Sequence, residues 1–425
     1  MVGKNIDGLL YPKGALIMSS VIERFVRYIK IDTESDHTSE TNPSTEKQFD
    51  LARLLVQECE DLGLSNITLT EKCHVLAELP SNSEKNIPVI GFNAHIDTSP
   101  DFSGKGVNPQ FIHYQGGDIL LNQEENITLS PNVFPILKER IGKHLITTDG
   151  TTLLGADDKA GIAEIMASIE YLVKYPEIEH GSIKICFTPD EEIGRGVHHF
   201  EYALFGADFA YTVDGGAVGT ITYENFNAAS AVVTIHGRSI HPGTAKGKMI
   251  NASRVAIELD AMLPENQKPE YTENKEGFFH LTQFTGNIET GKLSYIIRDH
   301  DMGKFTAKKE LILAAANYMN QKYGENTVEI EINDSYYNMR EKIEPVIHIV
   351  DTAIEAMEQL GIEPEIVPIR GGTDGAQMSY KGIPTPNLFT GGYNCHGRFE
   401  FAVEEEMEQS VEVILKIIDL YTQKA

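Results

Sequence analysis

Strand-like and helix-like segments alternate along most of this chain, and the alternation breaks once, in the middle. From Val21 onward, amphipathic helical runs such as "STEKQFDLARLLVQECEDLGL" and "DKAGIAEIMASIEYLVKY" are interleaved with short apolar runs. "NIPVIGFNAHIDT", "GSIKICFTPDEE" and "ADFAYTVDGG" are runs of this second kind, each bounded by turn residues. Helices of that length between strands allow parallel crossovers. The pattern therefore predicts a doubly wound α/β domain with a mainly parallel sheet and helices on both faces. The first of the two helices is expected to open at Ser44, as Ser-x-x-Lys, and to end near Gly63.

After Asp214 the order changes. A strand "NAASAVVTIHG", a helix "NASRVAIELDAML", two strands "FFHLTQFTGNIE" and "KLSYIIRDHD", a helix "AKKELILAAANYMNQKYG" and a strand "NTVEIEIND" follow one another. This β-α-β-β-α-β order is that of a ferredoxin-like α+β unit. The first style then returns with "EPVIHIVDTAIEAMEQLG", "TPNLFTGG" and a terminal helix. The expected organisation is one discontinuous domain over residues 18–224 and 335–425, with a second domain inserted at 225–334. Residues 1–17 show no signal-peptide core, and Met18 stands directly before the first helical periodicity, so 1–17 are expected to be a leader or appended extension.

Composition removes several function classes. No run of about 18 apolar residues is present, which argues against a membrane span. The net charge of −27 argues against nucleic acid or an anionic membrane as partner, because both reward Lys/Arg patches. Four scattered cysteines without CxxC spacing indicate neither a disulfide framework nor a thiolate zinc site, and a reducing cytoplasm suits them.

The chemistry sits at the ends of the strands. In "GFNAHIDTSP", His95 and Asp97 are two apart at a strand's C-terminal end, so both point to one face, where open α/β sheets bind ligands. A metal-bound imidazole commonly donates its other N–H to a carboxylate, and His-x-Asp supplies both; a packed, hydrogen-bonded histidine is the alternative. "LLGADDKAG" places Asp157 and Asp158 at a tight turn before a helix, where acids also serve as caps. "TPDEE" carries Glu191 and Glu192, either as a solvated loop tip or around a cation. "TVDGG" ends a strand on Asp214, and "TGGYNCHG" holds His396 in a Gly-rich turn. Five such junctions point to one site. Three ligand carboxylates and a bridging hydroxide supply about −4, which balances two divalent ions with two neutral histidines. Nitrogen and oxygen donors without thiolates suit zinc, with cobalt or manganese as substitutes.

"HIDTSPD", "LLGADDKAG", "FTPDEEIG", "YTVDGG", "GRSIHPGTAKGKMINA", "IRGGTDGA" and "GGYNCHG" together resemble the M20 family of metallopeptidases, in its aminotripeptidase branch. The likeness runs in order from about Met18 to the C-terminus. It implies a catalytic domain with an inserted lid domain, and a metal-dependent removal of the N-terminal residue from tripeptides. His95 and Asp214 would hold one ion, Glu192 and His396 the other, with Asp157 between them and Asp97 behind His95. Glu191 would be the general base acting on a water held between the ions. His241 in "SIHPGTAKGKM" would stabilise the oxyanion together with metal. The peptide between Asp157 and Asp158 would be cis. Arg298 in "YIIRDHD" and Arg370 in "PIRGGTDGA" are candidate clamps for a substrate carboxylate, since Arg reads carboxylates bidentately; a structural ion pair is the alternative for each.

Competing readings within the fold are an N-acyl-amino-acid deacylase or a dipeptidase, against which "GRSIHPGTAKGKM" and "SYYNMR" weigh. A two-metal phosphoesterase could use similar ligands, but no Lys/Arg cluster lies near the motifs. A non-catalytic metal or peptide binder would be expected to lose Glu191, which is present. The expected partners are small peptides, with the chain either a monomer or a homodimer.

Overall fold

The computed structural model describes residues 15–425, and the expected leader at 1–17 falls almost wholly outside them. The chain divides into two compact units. One comprises the residues up to Tyr223 together with Lys342–Val367 and Thr373–Ala425; the other comprises Glu224–Glu341 and Pro368–Gly372.

The first unit is built on an eight-stranded sheet. Its strands lie in the order Ser65–Leu69, Val75–Leu79, Ile183–Thr188, Ile90–His95, Phe209–Gly215, Asn387–Phe389, Thr220–Thr222 and Glu365–Ile366. The four central strands, from Ile183–Thr188 to Asn387–Phe389, pair in parallel. Antiparallel pairs flank them on either side. All six residues of Ile90–His95 are buried, which is why this strand reads as an apolar run and not as an alternation. The helix Ala156–Lys174 packs on Ile90–His95 and Phe209–Gly215, and also against the helices Ala15–Tyr28 and Glu404–Lys424. Enclosed in this way, it is buried nearly all round.

Contact between that helix and the sheet depends on Gly161. A Cβ there would lie 1.8 Å from the carbonyl oxygen of Val213, a backbone atom with little freedom to move. Gly161→Ala is expected to destabilise the first unit by about 1–3 kcal/mol or more, seen as a lower thermal midpoint. A midpoint equal to that of the parent would show that the strand can retreat.

A smaller antiparallel sheet joins Gly392–Tyr393, Phe401–Val403, His144–Thr147 and Gln110–His113. With the hairpin Ile119–Asn122 and Ile127–Leu129 it encloses its own core, including Leu129, Leu137, Leu145 and Phe401. Strands this short complete too few alternations to show a period in sequence. Two helix starts also differ from expectation. The helix expected at Ser44 begins at Gln48, because the Ser44 hydroxyl donates to Asp190 and does not cap the helix. The helix expected at "AKKEL" begins at Met302, where the Asp301 side chain accepts from Lys304 N.

In the second unit the strands lie in the order Phe278–Gly286, Thr290–Asp299, Asn227–His236 and Val328–Tyr336, all antiparallel. Ala229, Ala231, Val233 and Ile235 alternate into a core shared with the helices Ala252–Asp260 and Met302–Tyr323. One face is covered by helices and the other is left open, which explains the clean period of two in "AVVTIH". Among the described residues, no helix is long and apolar enough to cross a membrane.

Candidate metal centre

The C-terminal ends of three neighbouring parallel strands supply most of the site. His95 is the last residue of its strand, Asp214 is the last but one of the next, and Ile183–Thr188 leads into the turn Glu191–Ile193. Asp157 comes from the head of the helix Ala156–Lys174, where Asp157 and Asp158 leave helical geometry and are joined by a cis peptide. His396 lies in the turn between Tyr393 and Phe401, at a left-handed φ of 67°.

Two groups of potential ligand atoms result, His95 with Asp157 and Asp214, and Asp157 with Glu192 and His396. Asp157 belongs to both. Its Oδ1 is 2.9 Å from His95 Nε2, and its Oδ2 is 3.2 Å from His396 Nε2. Asp214 Oδ1 lies 3.7 Å from His95 Nε2, and Glu192 Oε2 lies 3.0 Å from His396 Nε2.

A further layer of carboxylates holds the backbone behind these groups. Glu400, fully buried, accepts from the N–H groups of Leu154 (2.7 Å), Gly155 (2.8 Å) and Asp157 (3.1 Å). Asp158 Oδ2 accepts from His95 N at 3.1 Å while its Oδ1 accepts from Gly161 N at 3.3 Å, so it caps the helix and steadies the histidine together. Asp97 differs in detail from expectation. The His95 Nδ1 sits 2.9 Å from the Asp97 backbone carbonyl and 3.4 Å from its carboxylate. That carboxylate accepts from Glu191 N (2.9 Å) and Glu192 N (3.3 Å). The Nδ1–H therefore has an acceptor, which leaves the Nε2 lone pair facing Asp157 and Asp214.

The electrostatics of this cluster suit a cation. Burial first, then Asp158 and Asp157, push the Asp214 carboxyl well above the usual range. Burial and Asp157 raise Glu192 to about 7. His396 is pushed up to about 11 by its hydrogen bonds to Asp157 and then Glu192. At Asp157 burial also acts upward, but the hydrogen bonds with His396 and His95 outweigh it and hold the carboxyl below its usual range. In addition, Glu192 Oε1 is buried with no hydrogen-bond partner among the described residues. A buried orphan oxygen amid crowded carboxylates and imidazoles is the donor set that divalent ions compensate, so the residues fit the two ions.

Glu191 belongs to neither group of ligand atoms. Burial raises its carboxyl well above the usual range; His95 opposes this, and Asp214, Asp374 and Glu192 add to it. In the second unit, His241 is exposed, and its Nδ1 accepts from Gly243 N at 3.1 Å. Arg298 Nη1 donates to Ala229 O (3.2 Å) and Ile297 O (3.0 Å), which leaves Nη2 and Nε uncommitted among the described residues. Arg370 has local protein partners. It donates to Asn274 O (2.6 Å), Glu276 O (3.1 Å) and Thr272 Oγ1 (3.1 Å), and lies over the rings of Phe226 and Phe278. These bonds tie Arg370 to the loop 272–276 through Nη1 and Nη2.

Sequence reasoning missed Glu400, Asp190 and Asp374 as parts of the site. Asp374 is buried and accepts from Thr188 Oγ1 at 2.6 Å, just below the turn that carries Glu191. The first acid of "PDEE" and the Asp of "GGTDGA" were visible signals, but Glu400 in "RFEFAV" has no local mark.

The chain resembles known proteins in both sequence and fold. Residues 149–420 match the model of peptidase family M20/M25/M40. The chain is 59% identical to the peptidase T of Alkaliphilus oremlandii (strain OhILAs) over 408 residues, 95% of this chain and 100% of that one. A tripeptidase from Staphylococcus aureus superposes with a TM-score of 0.76 at 22% identity, over 96% of this chain and 99% of that one. A dinuclear metal-binding M20 peptidase from Bacillus subtilis gives a TM-score of 0.66 at 15% identity, over 96% and 99%. With ordered motifs, fold and near-full-length identity in agreement, the chain belongs to the M20 family of peptidases, beside the relatives called peptidase T.

Proposed function

We propose that this protein is a metal-dependent aminotripeptidase that hydrolyses the N-terminal residue from tripeptides. The observation that carries the reading is Asp157, shared by two ligand groups, with the carboxylate of Glu191, in neither group, three residues after a neighbouring strand end. Its standing beside peptidase T relatives supports the peptide substrate. Two divalent ions held by His95, Asp157, Glu192, Asp214 and His396, zinc by the donor set, would polarise the scissile carbonyl and make water acidic enough to ionise near neutral pH.

With the ions bound, Glu191 would take the proton from the attacking water and return it to the leaving amine. A general base must be free of the ions, and the Glu191 carboxylate lies in neither ligand group. Asp97 keeps both functions in register, because one carboxylate holds the N–H groups of Glu191 and Glu192 while its backbone carbonyl orients His95. His241 is proposed as the oxyanion donor. Its Nδ1 accepts a backbone N–H, so the ring proton resides on Nε2, which is the form that can donate to a developing oxyanion. Four cysteines without disulfides support a reducing, cytoplasmic setting as part of this reading.

Metal chemistry alone cannot count residues, so a cation must read the C-terminal carboxylate of the tripeptide. Arg298, with Nη2 and Nε uncommitted, is the proposed reader. Losing a charged hydrogen bond costs about 1.5–3 kcal/mol, or roughly 10–150-fold in kcat/KM. The test compares a tripeptide with its C-terminal amide, in the parent and in Arg298→Ala. The parent is expected to prefer the free acid and the variant to lose most of that preference. Equal cleavage of acid and amide by the parent would remove Arg298 from this role. The activity itself is tested by tripeptide hydrolysis with metal added and then chelated.

A further inference from the structure

Three acids stand in a row at Asp190, Glu191 and Glu192, and the roles proposed above use only the second and third. Asp190 is fully buried, and donors from a single distant segment occupy both of its carboxylate oxygens. Oδ1 accepts from Ser44 Oγ (2.5 Å) and Gln48 Nε2 (2.7 Å). Oδ2 accepts from Ser44 N (2.7 Å) and Asn42 Nδ2 (3.1 Å). In return, Asp190 N donates to Gln48 Oε1 at 3.1 Å, and Arg195 Nη1 donates to Ser39 O at 2.7 Å. Ser44 Oγ is itself fixed by Asp36 N (2.9 Å), and Gln48 begins the helix Gln48–Asp61. A carboxylate with four donors and no exposure has nothing left for an ion or a substrate.

The backbone shows what this anchoring governs. Asp190 adopts φ 55°, ψ 24°, a left-handed turn between the strand Ile183–Thr188 and the turn Glu191–Ile193. Side-chain-bearing residues rarely rest there without help from their surroundings. The sense of that turn sets the direction in which the next two side chains leave the chain. Glu192 has a second tether through His396. The Glu191 carboxylate accepts no hydrogen bond from the described residues, so no such tether fixes its direction and the backbone that carries it matters more.

We infer that Asp190 is a positioning residue for Glu191: its carboxylate ties the loop 190–195 to residues 39–48 and so presents the general base in one orientation. This inference rests on the proposed role of Glu191.

The test uses the full chain loaded with metal and reports kcat per folded enzyme, KM and bound ions. Asp190→Asn keeps shape and tolerates the left-handed turn, but turns an N–H₂ toward donors. It is expected to lower kcat about 10–100-fold, the cost of a misplaced catalytic group, with KM within about threefold and both ions retained. Adding Gln48→Glu gives the new amide an acceptor and is expected to recover most of the loss, which a general weakening of the fold would not do. Ser44→Ala removes one of the four donors and is expected to lower kcat only several-fold. Should Asp190→Asn fail to fold, Ser44→Ala decides: unchanged kcat overturns the inference, and a fall with KM and ions unchanged supports it. A kcat within twofold of the parent in Asp190→Asn, or activity lost in step with one ion, also overturns it. Glu191→Gln is measured alongside. If that variant stays active, the base assignment itself fails; if it is inactive while Asp190→Asn is fully active, only the positioning role fails.

Discussion

Glu191→Gln is expected to lower kcat by ~10²–10⁴-fold while both metal ions remain bound. The substitution keeps the volume of the side chain and leaves the backbone N–H donated to Asp97. It removes a carboxylate that lies in neither ligand group and accepts no hydrogen bond from the described residues. Burial and the carboxylates of Asp214, Asp374 and Glu192 raise the proton affinity of Glu191, and an amide cannot take up that proton. Glu192→Gln is the contrasting case. Glu192 Oε2 lies 3.0 Å from His396 Nε2, and its Oε1 is buried without a partner, so loss of charge there weakens one of the two ion sites. Steady-state kinetics with metal analysis on the same samples separates them. Metal lost from the Glu191 variant and kept by the Glu192 variant would exchange the two roles.

Removing metal is expected to abolish peptide hydrolysis, with two equivalents of divalent ion needed to restore it. Single substitutions should divide that stoichiometry according to the geometry. Asp214→Ala touches only the group containing His95, and His396→Ala touches only the group containing Glu192. Asp157→Ala touches both, and is expected to reduce binding at each site and leave activity at background. Because ions bind the folded state selectively, a thermal midpoint that rises with metal concentration provides a readout independent of turnover. Full activity with no bound ion, or one ion sufficient for full activity, would remove the two-ion reading.

Much of the site was legible because its chemistry sits where local sequence patterns end. "GFNAHIDT", "ICFTPDEE" and "AYTVDGG" each show an apolar run stopping at a ligand-type residue, and the parallel sheet brings three such stops side by side. The inserted unit was legible for a similar reason. Its antiparallel sheet is covered on one face only, so period-two alternation survives in the sequence. The local partners of Arg370 were not legible, because sequence shows a guanidinium but not its acceptors, here the carbonyl oxygens of Asn274 and Glu276.

By itself, the sequence determined the identities of the ligand-type residues, the alternation that makes a mainly parallel sheet, and the order of the inserted unit. These depend on periodicity and on turn chemistry, which act over a few residues. The tertiary structure alone decided which acids touch the site and which hold it. Glu400 reaches the N–H of Asp157 across 243 residues of chain, and Asp190 takes its donors from a segment more than 140 residues earlier. No local pattern encodes such contacts, because the partners share neither a helix face nor a strand. They meet only when burial of the sheet and its helices brings distant backbone donors within hydrogen-bond reach of a carboxylate that would otherwise be costly to bury.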